Sequence, residues 1–143
     1  MARTVSSRGR GASSERPEGR AQAVIPTFDD VLDEYEAWSN DRGLREKRPL
    51  ITELLEKAWA LRPEPADEPA ALFFVCCQHW MRLGEHCTYF IDWLAVSQLE
   101  RVGLPVKLDP RELMELRLDT CAGFAELEDV REWFSEQYAR QLD

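Results

Sequence analysis

The chain reads as an all-α protein, a bundle of about four helices in which two short ones lie along an antiparallel pair of long ones. Three observations predict this. Apolar residues recur at spacings of three and four from Thr27 onward, and no stretch alternates with the period of two that a half-buried strand needs. No hairpin dipeptide such as Asn-Gly occurs. Helix-opening chemistry recurs at Thr27, at Pro49 and at Asp109-Pro110. With 143 residues and a hydrophobic fraction of 44%, the chain can build one core, which excludes a wholly disordered polymer. Seven glycines and four cysteines exclude collagen-like and disulfide-scaffold classes. No apolar run reaches the ~18 residues of a membrane span.

The first helix is expected to start at Phe28, capped by Thr27, with Asp29 and Asp30 in the turn where the helix dipole favours carboxylates. Phe28, Val31, Leu32, Tyr35 and Trp38 form its apolar stripe, and its end is expected near Asp41 with Gly43 as a left-handed cap. Pro49 opens the second helix, whose broad apolar face runs from Leu50 to Leu61 and which Pro63 stops. Residues 63–69, with three prolines and three acids, read as a stiff connector.

Residues 69–102 are the most apolar segment and should lie centrally. Because Phe73, Cys77, Trp80, Gly84, Cys87, Ile91 and Leu94 stay in phase, one long helix is expected, with a break at Gly84 as the alternative. The last segment starts at Asp109-Pro110-Arg111-Glu112. It carries Leu113, Leu116, Thr120, Gly123, Leu127, Val130 and Phe134 on one stripe, which predicts a second long helix with Gly123 on its inner face.

Charge divides the chain. Eighteen basic residues against 27 acidic ones give a net charge of −9. Residues 1–24 hold five arginines and two glutamates, leaving thirteen basic and 25 acidic residues in the rest: a +3 tail on a −12 body. The Arg-, Ser- and Gly-rich tail is expected to be disordered and residues 25–143 to form a single helical domain. The tail has no apolar core of a secretory signal, so Cys76, Cys77, Cys87 and Cys121 are expected as reduced thiols in a cytoplasm.

Candidate chemistry is sparse. Cys76, His79, His86 and Cys87 are all zinc-ligand types on one helical face, but His79 and His86 lie about 10.5 Å apart along a straight helix, too far for one zinc. Only a sharp break at Gly84 would close the set, and no cofactor is otherwise expected. A reactive thiol could pair Cys76 with His79, or Cys121 with either histidine, although a buried Cys76 would ionise poorly. There is no Glu-x-x-His pair, phosphate loop, dinucleotide fingerprint or nucleophile elbow, so no catalytic residue is assigned and an enzyme is not expected.

Arg8-Gly9-Arg10-Gly11 matches the Arg-Gly content of disordered nucleic-acid-binding segments. The −12 body would repel phosphate, which confines such a contact to Arg8 and Arg10. Residues 109–143 hold ten acids against four arginines, and Glu112, Glu115, Asp119 and Glu126 share one side of a continuous helix. Trp133, beside Phe134 but pointing about 100° away from it, is the candidate exposed anchor. The function expected is therefore non-catalytic: a subunit, adaptor or inhibitor that docks a protein partner with a basic surface. A second copy of the chain is an alternative partner. A Cys/His metal or thiol protein and a basic-tail nucleic-acid accessory are the alternative functions.

Overall fold

The computed structural model describes residues 25–40, 42–61, 63–84, 87–104 and 106–142. The expected tail, residues 1–24, lies outside them. Among the described residues there is no strand, and seven α-helices form the fold: α1 (Phe28–Ser39), α2 (Arg48–Ala60), α3 (Glu68–Gln78), α4 (Trp80–Leu83), α5 (Cys87–Arg101), α6 (Pro110–Cys121) and α7 (Leu127–Leu142). None is long and apolar enough to cross a membrane.

The helix starts follow their local chemistry. At α1 the Asp30 backbone N–H donates to Thr27 Oγ1 at 3.3 Å and the Thr27 N–H donates to Asp30 Oδ2 at 3.4 Å, which satisfies two otherwise orphaned donors. At α6 Asp109 Oδ1 accepts from the N–H groups of Arg111 at 2.8 Å and Glu112 at 3.4 Å. Pro49 sits in the first turn of α2, as expected. The end of α1 differs from expectation: Asn40, at φ 62°, is the left-handed cap, and Gly43 instead opens a 3₁₀ turn over Gly43–Lys47. Asparagine tolerates that conformation because its short polar side chain serves the local backbone. Arg45 then ties the turn back to α1 through two hydrogen bonds to Glu36, at 2.7 and 2.9 Å.

Helix α3 is the axis of the molecule. Every residue from Glu68 to Cys77 is buried, and α2, α5, α6 and α7 all pack on it. Its closest partner is α5, which runs antiparallel to it: Gln98, near the end of α5, donates through Nε2 to Oε1 of Glu68, at the start of α3, at 2.6 Å.

A single helix over 69–102 is thus replaced by a hairpin. The chain leaves helical geometry at His79 (φ −117°, ψ 25°), makes the short α4 and reverses through Gly84 at φ 72°, ψ −144°, a region open in practice only to glycine. The reason is burial. A straight helix roughly 50 Å long would leave much of the all-round apolar 69–78 segment in water, whereas folding back lays Phe90, Ile91, Leu94 and Ala95 of α5 within the same core.

The second expected long helix is likewise broken. Gly123 lies outside the helices at φ 87°, with its N–H bonded to Thr120 O at 3.2 Å and the Phe124 N–H bonded to Asp119 O at 2.8 Å. That pair of bonds is the Schellman ending, which needs a left-handed residue at the position glycine fills. Helix α7 starts four residues later at Leu127, with Asp129 Oδ2 accepting from the Glu126 N–H at 2.8 Å. It docks on α3 through Phe134 against Phe73, ring centroids 6.0 Å apart and edge-on. Tyr138 Oη donates to Ala66 O at 2.6 Å, and Arg131 pairs with Asp67 at 3.0 Å. Helix α6 leans on α3 beside it, joined to the far end of α7 by Arg140 on Glu112 at 3.1 Å.

Candidate functional site

Of the four zinc-ligand types, the described structure places two. Cys76 is buried in the core, where loss of water pushes its thiol up to about 12. His79 lies at the α3–α4 corner, with its Nδ1 3.3 Å from an Arg82 nitrogen. Its ionisation falls because it is partly desolvated and because Lys57 and Arg82 face it. His86 and the side chain of Cys87 lie outside the described residues, as do Arg8 and Arg10. Among the described residues no three His, Cys, Asp or Glu side chains are grouped to hold a metal.

Cys121 faces Cys77 of α3 and not His79. The two thiols interact across the α3–α6 contact. Arg117, one turn before Cys121, pairs with Asp92 of α5; Arg117 lowers the Cys121 thiol, while Asp92 raises both thiols. Burial raises the Asp92 carboxyl in spite of Arg117, and its Oδ1 is buried without a hydrogen-bond partner among the described residues. Arg82 and Glu53 form the same kind of ion pair in the open, at 2.8 and 3.0 Å, and there the hydrogen bonds from Arg82 hold Glu53 down at about 2.

The acidic ridge expected on one continuous helix is divided by the turn at Gly123. Glu126 falls in the connection to α7 and is no longer on the same helix as the others. Glu112 turns toward α7, where Arg140 neutralises it. Glu115 and Asp119 remain, one turn apart and exposed, and their side chains make no hydrogen bond or ion pair among the described residues. Trp133, the expected exposed anchor, is instead partly buried against the core, its ring edge-on to Phe134 at 5.0 Å.

Exposed apolar groups occur elsewhere. Met114 is 40%, Leu118 58% and Phe124 82% exposed. On α6, Met114 and Leu118 lie roughly 40° apart around the axis and Glu115 and Asp119 lie at the same mutual angle roughly 100° further round, so apolar and acidic rows run side by side. Phe124 follows in the chain, exposed in the turn after Gly123. The inner face of the same helix carries Leu113, Leu116, Arg117 and Thr120, all buried.

Sequence reasoning missed this apolar row, although a signal existed: Met114 and Leu118 fall off the Leu113–Leu116–Thr120 stripe. A second exposed aromatic edge is Trp38, 60% exposed, which packs at 6.0 Å on Tyr35 and 6.4 Å on Trp93. No protein-family model matches the chain, and no curated protein or solved structure shows significant similarity to it.

Proposed function

We propose that the protein is a non-catalytic binding protein, acting as a subunit, adaptor or inhibitor, and that the outer face of α6 is its docking surface. The partner it suits presents a basic surface with apolar side chains set among the charges. The observation that carries this reading is that Met114 and Leu118 lie beside Glu115 and Asp119 on a face that no other described helix covers, with exposed Phe124 in the turn that follows. Packing accounts for the buried face of α6, but not for three large apolar groups held in water. Met and aromatic residues are enriched at interface centres, and acidic residues beside them steer a basic partner and fix its register. Helix α6 is about 18 Å long, so the contact extends onto the Gly123–Glu126 turn to reach the usual interface area.

The test is capture from a lysate of the source organism with mass-spectrometric identification. Wild type is compared with Glu115→Lys/Asp119→Lys and with Leu118→Ala/Phe124→Ala. A specific partner should be lost with both double variants, and the charge variant should mainly alter the salt dependence of capture. Recovery of the same proteins by all three forms would refute the assignment of this face.

A further inference from the structure

A second apolar surface lies on α5, beside α1. Tyr89, Trp93 and Val96 follow one another at spacings of four and three, so they form one stripe along the helix. Tyr89 is 69% exposed, Val96 is also exposed and Trp93 is partly buried. Trp38 of α1 leans on Trp93 at 6.4 Å, which widens the stripe into an aromatic band left in water. The helix that borders this band is acidic: α1 holds five carboxylates, from Asp29 to Glu36, and no basic residue. Asp33 on α1 and Glu100, four residues beyond Val96 on α5, are exposed, and their side chains make no hydrogen bond or ion pair among the described residues.

We propose that this band is a docking face for residues 1–24 of the same chain, which fold back along α1 and stack the guanidinium groups of Arg16 and Arg20 on its open rings. Three observations select this occupant. The first is charge: the segment is +3, with five arginines and no lysine, and it meets a −12 body at its most one-sidedly acidic helix. A second copy of the body would instead bring like charges together. The second is reach. Ile25 packs on the core just before α1, which fixes the point of attachment. Arg20 and Arg16 stand five and nine residues before it, which extends to roughly 17 and 30 Å, and Trp38 lies about 15 Å along α1 from Phe28. The third is a precedent in the molecule: the guanidinium carbon of Arg48 sits 4.4 Å over the Phe28 ring while its Nη2 donates to Asp29 Oδ1 at 2.9 Å. A guanidinium lies flat on an aromatic face and still reaches a carboxylate with its edge, which an ammonium does not match. The segment is then a strap that keeps the aromatic band from other proteins until it is displaced.

The test uses the full chain in dilute solution. A diazirine-bearing side chain replaces Ala21, isotope-labelled and unlabelled chains are mixed and irradiated, and cross-linked peptides are mapped by mass spectrometry. Cross-links are expected within one chain, from residue 21 to the α1 and α5 peptides that carry Trp38 and Tyr89–Val96. The second readout is the Trp38 indole N–H in the NMR spectrum, identified with Trp38→Phe and exposed to a soluble nitroxide. It is expected to be shielded in wild type and broadened in Arg16→Gln/Arg20→Gln. Loss of one guanidinium from an exposed ring should shift the ratio of covered to open molecules about two- to fivefold. Equal broadening in wild type and the double variant would overturn the proposal. So would cross-links that map to α6 or α7, or that join labelled to unlabelled chains.

Discussion

Helices α3 and α6 are nearly equal in length, 11 and 12 residues, and use their surfaces in opposite ways. Helix α3 is apolar all round and is enclosed by α2, α5, α6 and α7, so each of its large side chains is explained by what it touches. Helix α6 buries one face and leaves the other to water, with Met114 and Leu118 on the exposed side. An apolar residue on α3 therefore carries information about the fold, and one on the outside of α6 carries information about something outside the chain.

Substitutions on the two helices should separate stability from binding. The largest effect belongs to α3: Phe73→Ala opens a cavity at the fully buried contact with Phe134 and should cost about 3–5 kcal/mol, read by chemical denaturation. Partner capture per folded molecule should not change. Next comes the inner face of α6. Arg117→Met removes the cation from the buried Asp92 carboxylate and should cost about 2–3 kcal/mol, below the usual range for a fully buried pair because Asp92 keeps some water. Adding Asp92→Leu should recover most of that loss, since it is the uncompensated charge that destabilises. On the outer face Leu118→Ala should stay within about 0.5 kcal/mol of wild type while weakening partner capture. A Leu118→Ala protein as unstable as Phe73→Ala would show that the α6 face is covered within the chain.

The parts of this architecture that were legible in the sequence are those decided locally. Thr27, Pro49 and Asp109-Pro110 start helices through bonds within one turn, and the structure shows them doing so. The break at Gly84 was legible only as the alternative to one long helix, and Gly123 was read on the inner face of a continuous one, because both glycines fall in phase with the apolar stripe on either side. Whether such a glycine sits inside a helix or ends it depends on whether folding back buries more surface, a tertiary quantity that periodicity does not contain. The site followed suit. Glu115 and Asp119 keep the exposure expected of them, but Glu112 and Glu126 left the ridge once the helix divided. Trp133 found room beside Phe134 that an angular argument on a single helix does not reveal.

The smallest effects come from protons, and they distinguish the inner ion pair from the outer one by sign. Glu53 is held at about 2, below its ordinary 4.5, so the folded state binds fewer protons there than the unfolded chain does. Its contribution is complete above about 4.5 and is lost as pH falls toward about 2. Asp92 is raised above its ordinary 3.8, so the folded state binds more protons and its contribution grows as pH falls through the raised value toward 3.8. Glu53→Gln should therefore flatten the acid limb of the stability profile, whereas Asp92→Asn should steepen it by removing an offsetting gain. Carbon-detected NMR titration of the two carboxyls, with urea midpoints measured at pH 3, 5 and 7, reads both. If the two carboxyls titrate on the same side of their ordinary values, burial does not dominate at Asp92, and the Arg117 pair then belongs with the exposed Arg82 pair in kind as well as in composition.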